Sequence, residues 1–231
     1  MNKQGNLIKA VIFDIDGTLM DSNAEHARSF AEAFKEFGKT VMFEDLIYLI
    51  GMGADEILEK FLSKNEIEKL GEDLKESRKK LFLEKYLPGV AVFPKVRELF
   101  ERLKADGLQT ALASSASEKE LEEYREKLNL SDLLDKETNS DEAENAKPEP
   151  DIFLAAFGKL KNVEKANTLV IGDTPYDAEA AVRAQLKIIG VESGGWSREK
   201  LLEKGCSEAY ADIGAILEKY ENIFRIENKT R

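Results

Sequence analysis

The apolar and polar positions of the chain follow two different periods, which predict two kinds of segment. Residues 10–13 form an uninterrupted run of apolar residues, typical of a strand buried on both faces. From Leu19 to Pro88 the apolar positions recur at helical spacing, and no strand pattern is present there. After Pro88 short apolar runs alternate with helical segments. The pattern therefore predicts a helical block inserted between a first strand and a region of alternating strands and helices.

The alternating region predicts a parallel sheet, because strands separated by helices imply right-handed crossovers between parallel strands. Apolar runs indicate buried strands at residues 10–13, 108–113, 167–171 and 187–191. We therefore predict an α/β fold with a Rossmann-like parallel sheet core. The helical block is too long for an ordinary connection, so we interpret it as an inserted all-helical domain. The predicted core comprises residues 1–19 and 89–231, and the predicted insertion comprises residues 20–88.

Residues that cap helices mark several predicted boundaries. Three segments have the spacing of a capping box, in which a serine is followed by a glutamate three positions later, and they begin at Ser22, Ser63 and Ser117. Pro94 suits the first turn of the helix that follows it. Gly38 is placed to end the helix that begins near Ser22.

Polar side chains directly follow the predicted strands. Asp14 and Asp16 follow the first strand, and side chains two residues apart on an extended chain point the same way. Ser114 follows the second strand and Asp173 the third, with Asp177 four residues further on. Because ligands of an open parallel sheet bind outside the carboxyl ends of its strands, we expect these side chains to meet at one site.

The expected acidic cluster predicts a bound cation. Several carboxylates brought together need a hard cation with oxygen ligands, and Mg²⁺ fits because it takes one or two carboxylates with water and substrate phosphate. Lys147 adds positive charge from a loop that Pro148 and Pro150 stiffen. A metal, a lysine, a hydroxyl and two adjacent carboxylates suit phosphoryl transfer.

The composition disfavours some partners and compartments. The chain has 231 residues and a formal net charge of −11, which disfavours nucleic acid and anionic membrane surfaces. Cys206 is the single cysteine, so we interpret it as a packing residue in a protein of a reducing compartment. No apolar run is long enough for a membrane span, and the N-terminus lacks the features of a signal peptide. We therefore expect a cytoplasmic protein, and its oligomeric state stays open.

Four short motifs occur in order along the chain: FDIDGT at 13–18, Ser114 after its strand, Lys147 in KPEPDIF, and GDTPYD at 172–177. Their identity and order resemble the four signatures of the haloacid dehalogenase-like hydrolases with a helical cap, the branch of phosphoglycolate phosphatases and beta-phosphoglucomutases. FDIDGT is specific by itself, whereas the other three gain weight from their order and spacing. The resemblance implies that the helical insertion is a cap domain that closes over the site and excludes water.

The resemblance implies catalytic roles for the residues that match the signatures. Asp14 would be the nucleophile that forms an aspartyl-phosphate. Asp16 would protonate the leaving alcohol and then activate the hydrolytic water. Ser114 and Lys147 would hold the transferring phosphoryl group, and backbone N–H groups near Ile15 and Ser115 would add donors.

The resemblance also implies a set of metal ligands. Mg²⁺ would be held by Asp14, by the backbone carbonyl of Asp16 and by Asp173. Asp177 would support the metal through water or through a bond to Lys147. The predicted function is therefore an Mg²⁺-dependent phosphatase that hydrolyses a small phosphorylated metabolite.

Two other functions remain as alternatives. A sugar phosphomutase of the beta-phosphoglucomutase type would use the same scaffold, and His26 matches a position that contacts substrate in related mutases, although it equally suits simple packing. Those mutases resemble this chain but carry an arginine just after the glycine that matches Gly51, and residues 52–55 contain none. A receiver-like switch that signals through a phosphorylated aspartate is the alternative outside enzymology. A non-catalytic binding module is disfavoured because all the expected catalytic groups are present.

Overall fold

A computed structural model describes residues 7–224, within which the chain divides into two compact units. One unit comprises the described residues up to Met20 together with those from Val92 onward, and the other comprises Asp21–Ala91. The predicted core range includes residues 1–6 and 225–231, and residues 1–6 also belong to the N-terminal stretch considered for a signal peptide. Those residues lie outside the described part of the chain.

The first unit is built on a sheet of six parallel strands in the spatial order β3-β2-β1-β4-β5-β6. The strands are β1 (Ala10–Phe13), β2 (Gln109–Ala113), β3 (Lys136–Thr138), β4 (Thr168–Gly172), β5 (Lys187–Val191) and β6 (Ala209–Tyr210). The predicted α/β fold with a Rossmann-like parallel sheet is confirmed. The direction in which successive strands are added reverses between β1 and β4, and such a reversal opens a crevice at the carboxyl ends of the two strands.

The second unit is helical. Its helices are α1 (Asn23–Glu36), α2 (Phe43–Leu46), α3 (Ala54–Phe61) and α4 (Lys64–Leu81), followed by a π-helical turn at Phe82–Tyr86 and a 3₁₀ turn at Leu87–Gly89. Apolar side chains from these helices, including Phe34, Ile57 and Leu74, form a separate hydrophobic core. At the start of α4 the backbone N–H of Ser63 donates to Glu66 over 2.9 Å, as the predicted capping box requires. This unit therefore has its own core and its own helix caps.

Helices alternate with the strands of the first unit. They are α5 (Val96–Ala105), α6 (Glu118–Leu128), α7 (Asp151–Gly158), α8 (Pro175–Arg183), α9 (Arg198–Glu203), α10 (Ile213–Glu218) and α11 (Tyr220–Phe224). The capping box predicted for α6 forms, because the Ser117 hydroxyl donates to Glu120 over 2.8 Å and accepts from its backbone N–H over 3.4 Å. None of the helices within residues 7–224 is both long and apolar enough to cross a lipid bilayer.

The sheet lies between two helical layers. The side chain of Ile12 belongs to an apolar cluster with residues of α7, α8 and α9, among them Phe153 and Leu201. The ring of the next residue, Phe13, lies 4.6 Å from the ring of Phe100 in α5. Successive side chains of a strand point to opposite faces, so α5 covers the face opposite to α7, α8 and α9. The strand that carries Asp14 at its end is therefore buried on both sides, as its composition predicts.

The capping box predicted at Ser22 is wrong. Ser22 is buried and has near-helical dihedral angles (φ −117°, ψ −14°), and its side chain makes no capping bond at the start of α1. Glu25, the expected partner, instead accepts a hydrogen bond from Arg28 on the next turn. A serine needs extended dihedral angles to cap a helix, which the chain does not adopt here.

The placement of Pro94 in a first helical turn is also wrong. Lys95 adopts a left-handed conformation (φ 70°), so α5 begins only at Val96, after Pro94.

Two strands, β3 and β6, are not predicted from the sequence. They are three and two residues long and lie at the two edges of the sheet. Strands this short do not produce a recognisable apolar run.

Cys206 packs as expected. It is buried in the apolar cluster on the α7–α9 face of the sheet. Burial, with a smaller effect from Asp177, raises the pKa of its thiol to about 12. The thiol is therefore protonated at neutral pH, and a protonated thiol is a poor nucleophile.

We expect the substitution Ser117→Ala to lower the free energy of unfolding by about 1 kcal/mol, because it removes the side-chain bonds that cap α6. Chemical denaturation followed by circular dichroism measures the change. Ser131→Ala is the control, since Ser131 is exposed and lies outside any helix N-terminus. Equal effects of the two substitutions would contradict a capping role for Ser117.

Candidate functional site

The candidate site lies where the strand order reverses. Asp14 directly follows β1 and Asp173 directly follows β4, and these strands are neighbours with Phe13 paired to Ile171. The backbone N–H of Asp14 donates to the carbonyl of Ile171 over 2.9 Å, which continues the sheet up to the acidic residues. Both carboxylates are therefore held at the carboxyl ends of two hydrogen-bonded central strands, where ligands of such sheets bind.

Lys147 is buried between two of the acidic residues. Its Nζ lies 2.5 Å from Oδ1 of Asp14 and 2.7 Å from Oδ1 of Asp177. The ring of Phe153 lies beside the ammonium group, with 5.0 Å between Nζ and the ring centroid. The Lys147 side chain is only 1% exposed, so water does not screen these ion pairs. One buried cation thus joins the residue after β1 to the first turn of α8.

Asp177 is fixed at the start of α8 by a reciprocal capping box with Thr174. Its Oδ2 accepts from the backbone N–H of Thr174 over 3.0 Å and from the Thr174 hydroxyl over 2.6 Å. The same hydroxyl accepts from the backbone N–H of Asp177 over 3.1 Å. With Lys147 beside Oδ1, both oxygens of Asp177 have partners. Asp177 therefore orients Lys147 and has little capacity left for a further ligand.

Asp14 and Asp173 are joined by the hydroxyl of Thr18, the last polar residue of the FDIDGT segment. The Thr18 oxygen lies 3.2 Å from Oδ2 of Asp14 and 2.9 Å from Oδ1 of Asp173. A hydroxyl group has one proton to donate, so it can serve only one of these two carboxylates at a time. This hydroxyl group alone therefore does not neutralise the negative charge of two carboxylates that face each other in a buried site.

The charge balance around Asp14 perturbs its ionisation. Burial raises the pKa of Asp14 from 3.8 to about 7, Lys147 opposes the rise, and the nearby carboxylates Asp177 and Asp16 add to it. Burial alone would lower the pKa of Lys147, but Asp14 and Asp177 outweigh burial and raise it above its usual value. Lys147 therefore remains a cation at neutral pH, while Asp14 is close to its titration midpoint.

Two glycines allow the backbone to approach the acidic residues closely. A Cβ atom added to Gly194, in the turn after β5, would lie 1.7 Å from Oδ2 of Asp173. A Cβ atom on Gly172, at the end of β4, would lie 2.7 Å from the Cβ of Asp177. Both distances are far below van der Waals contact. The positions of Asp173 and Asp177 therefore require glycine at 194 and 172.

The carboxylate of Asp16 has a different environment. Its Oδ1 accepts a hydrogen bond of 2.7 Å from the hydroxyl of Tyr124, a fully buried residue of α6. The following residue, Gly17, has a left-handed conformation (φ 76°), and its carbonyl accepts a 2.7 Å hydrogen bond from the hydroxyl of Ser193. Asp16 is therefore held on its side-chain side by α6, and the turn after it is held by the loop that follows β5.

The remaining predicted site residues occupy several environments. Ser114 is buried at the end of β2, where its hydroxyl accepts from the backbone N–H of Ala116 over 3.1 Å, and Ser115 beside it is exposed. His26 lies in the helical unit with its ring stacked on Phe82, the ring centroids being 3.8 Å apart. A contact of His26 with substrate stays a prediction.

Three residues around the site escaped sequence reasoning: Thr18, Tyr124 and Gly194. Thr18 lies within the FDIDGT signature, and Gly194 lies shortly after a predicted strand. Their positions after the ends of predicted strands are therefore a sequence signal for a place near the site. Tyr124 belongs to the apolar stripe of α6 with Leu121 and Leu128, which predicts packing only. Its contact with Asp16 depends on tertiary structure, and no local pattern indicates it.

The donor set fits a hard divalent cation. Asp14, Asp173 and Asp177 each offer a carboxylate oxygen, and these atoms lie within 4.8 Å of one another. All three residues are buried, and Lys147 supplies one positive charge to balance them. Mg²⁺ prefers one or two carboxylates at about 2.1 Å and completes its shell with water and phosphate oxygens. Asp14 and Asp173 fit as such ligands, and Asp177 fits less well because its Oδ2 already accepts two hydrogen bonds from Thr174.

Comparison with known proteins identifies the family. Residues 11–191 match the family model of the haloacid dehalogenase-like hydrolases, and the chain belongs to that family. The predicted resemblance and the predicted hydrolase class are confirmed.

Individual relatives differ in length and in description. A phosphorylated carbohydrates phosphatase of Thermotoga maritima is 32% identical over 86% of this chain and 92% of its own length. The chloroplastic protein SUPPRESSOR OF QUENCHING 1 of Arabidopsis thaliana is 33% identical over 90% of this chain, which spans only 20% of that protein. A solved structure from Thermotoga maritima, provisionally described as a beta-phosphoglucomutase, is 28% identical with a TM-score of 0.68, covering 94% of this chain and all of that one.

We expect Gly194→Ala to weaken metal binding by about tenfold or more, because the new methyl group displaces the carboxylate of Asp173. The rise in unfolding temperature with Mg²⁺ concentration measures the affinity. Gly158→Ala is the control, because a Cβ atom there meets nothing within 4 Å. Unchanged metal affinity in Gly194→Ala would show that Asp173 does not need its observed position.

Proposed function

We propose that this protein is an Mg²⁺-dependent phosphatase that hydrolyses a small phosphorylated metabolite through an aspartyl-phosphate. The observation that carries the proposal is the position of Asp14, at the switch point of the sheet, 2.5 Å from the buried Nζ of Lys147 and facing Asp173. A carboxylate beside a fixed cation and a metal-binding carboxylate is the arrangement that in-line attack on phosphorus needs. Family membership supports the same chemistry.

Two chemical steps follow from this arrangement. In the first step an oxygen of Asp14 forms a bond to phosphorus, the bond from phosphorus to the alcohol breaks, and the carboxyl group of Asp16 gives its proton to the departing oxygen. In the second step a water oxygen bonds to phosphorus, the bond to Asp14 breaks, and the water proton passes to Asp16. Phosphate leaves and both carboxyl groups return to their starting states.

Charge stabilisation supplies most of the rate in such reactions. Lys147 and the hydroxyl of Ser114 would hold the phosphoryl oxygens, with backbone donors near Ser115. Asp14, Asp173 and the backbone carbonyl of Asp16 would hold Mg²⁺, which supplies positive charge to the phosphoryl oxygens when bound. Asp177 would act on the site through its ion pair with Lys147.

The relatives and the predicted architecture support a proposal for the substrate class. One relative is a phosphorylated carbohydrates phosphatase and another is a phosphoglycolate phosphatase, so we propose a small phosphate monoester such as a sugar phosphate or phosphoglycolate. The helical unit Asp21–Ala91 would act as the cap that selects among them. A screen of phosphorylated metabolites ranked by kcat/KM tests the class directly.

A sugar phosphomutase is the second candidate, because one similar structure carries that provisional description. A mutase must hold a second phosphate group, and the stretch from Met52 to Asp55 lacks the arginine that related mutases place there. Phosphorus NMR separates the two reactions, since a phosphatase releases inorganic phosphate and a mutase returns an isomeric sugar phosphate. A phosphoryl group that stays on Asp14 for hours without turnover would instead indicate a receiver-like switch.

We expect Asp14→Asn to reduce phosphate release by at least about 10⁴-fold while leaving the fold intact, because the amide cannot attack phosphorus. Phosphate release from p-nitrophenyl phosphate with and without Mg²⁺ measures the loss. Asp73→Asn is the matched control, because Asp73 is exposed on α4. Retained activity in Asp14→Asn would place the nucleophile elsewhere.

We expect Mg²⁺ binding to tighten as the pH rises towards 7 and to level off above it. The raised pKa of Asp14, about 7 without metal, means that this carboxyl group is protonated at lower pH, and the metal binds the ionised form. Binding therefore releases a proton, and the affinity increases by up to about tenfold per pH unit below 7. Removing the metal with a chelator at pH 8 restores the low activity of the apoprotein.

Isothermal titration calorimetry in two buffers of different ionisation enthalpy counts the protons released at pH 6. We expect a release close to one proton for the unchanged protein and a much smaller one for Asp14→Asn. A pH-independent affinity between pH 5.5 and 8 would mean that Asp14 is already ionised in the apoprotein or is not a ligand.

A further inference from the structure

We infer that Tyr124 is a positioning residue that orients the carboxyl group of Asp16 for proton transfer. The observation is the 2.7 Å hydrogen bond from the Tyr124 hydroxyl to Oδ1 of Asp16, made by a tyrosine without solvent exposure. This inference rests on the proposed phosphatase mechanism and adds to it a residue outside the four family signatures.

The bond fixes the direction of the Asp16 side chain. The turn that carries Asp16 is already set by backbone bonds, in which Gly17 N–H donates to the carbonyl of Met20 and Met20 N–H donates to the carbonyl of Ile15. With the backbone fixed, rotation of the Asp16 side chain would break the bond to Tyr124. The carboxyl group is thereby presented to the leaving oxygen in one orientation. A general acid must lie within a few tenths of an ångström of the position from which it transfers its proton.

The tyrosine is itself rigidly held. Its ring lies on the apolar stripe of α6 with Leu121 and Leu128, and the helix is anchored at its start by the reciprocal bonds of Ser117 and Glu120. Glu120 is buried as well. α6 begins at Glu118, three residues after Ser115, and Ser114 and Ser115 are the residues proposed to hold the phosphoryl oxygens. One short helix therefore connects the phosphoryl-holding loop to the acid that protonates the leaving group.

A purely structural role is the competing explanation. A buried tyrosine usually finds a hydrogen-bond partner, and Asp16 would then be only the acceptor that satisfies it. The two explanations differ in one measurable respect. A structural role predicts a general loss of stability or activity, whereas a positioning role predicts a loss that depends on how much the leaving group needs a proton.

The test compares Tyr124→Phe with the unchanged protein on two substrates. An alkyl phosphate has a poor leaving group that needs protonation, whereas p-nitrophenyl phosphate has a good one that does not. Since kcat/KM includes the steps up to departure of the alcohol, we expect Tyr124→Phe to lower it about tenfold for the alkyl phosphate and less than about threefold for p-nitrophenyl phosphate. We expect unchanged Mg²⁺ affinity, because the hydroxyl donates to the side chain of Asp16, whereas Asp16 would hold the metal through its backbone carbonyl.

Two further variants complete the test. Tyr220→Phe is the matched control, because Tyr220 is another buried tyrosine of the same unit, placed against Arg102, and its loss affects both substrates equally or not at all. In an Asp16→Asn background, Tyr124→Phe should change kcat/KM no further, because the two residues act as one group. If Tyr124→Phe is too unstable to measure, Tyr124→Met removes the same hydroxyl and fills the space with a flexible side chain.

Equal losses on both substrates, no loss on either, or additive losses in the double variant would each overturn the inference. These results differ from failure of the proposed function, which shows as no phosphate release by the unchanged protein or as full activity of Asp14→Asn.

Discussion

The structure of the site depends on the crowding of buried negative charge around a single lysine. Asp14, Asp173 and Asp177 are all buried, and Lys147 forms ion pairs with two of them. Two like charges about 4 Å apart repel by about 4 kcal/mol even at an effective dielectric constant of 20. Such an arrangement persists only if the surrounding chain holds it rigidly, and it attracts any ligand that brings positive charge.

The surrounding chain provides that rigidity in three ways. The central strands β1 and β4 place Asp14 and Asp173 at adjacent ends. In the capping box of α8, one oxygen of Asp177 accepts hydrogen bonds from two donors, so the main role of Asp177 is to orient Lys147. The absence of side chains at Gly172 and Gly194 lets neighbouring backbone segments approach the carboxylates, which limits their movement. Preorganised charge of this kind needs no rearrangement at the moment of reaction.

The sequence predicts those parts of the molecule that local patterns determine. Apolar runs predict β1, β2, β4 and β5. The site residues Asp14, Ser114 and Asp173 directly follow three of these strands, so the pattern and the parallel topology together place them at the carboxyl ends of the strands. The edge strands β3 and β6 are too short for a pattern. The predicted cap at Ser22 does not form because the backbone there adopts near-helical dihedral angles. The hydrogen bond between Tyr124 and Asp16 joins residues from distant parts of the chain, so no local pattern predicts it.

The insertion of the helical unit after β1 affects the order in which the protein can fold. β1 is one of the two central strands of the sheet, yet its partner strands begin at Gln109 and Thr168, which are synthesised after the whole unit Asp21–Ala91. On the ribosome this entirely apolar strand therefore emerges before its neighbours, while the helical unit can form its own local contacts. Folding of the sheet is limited by loop closure over these long separations, and the nascent chain exposes β1 to non-native association until β2 emerges.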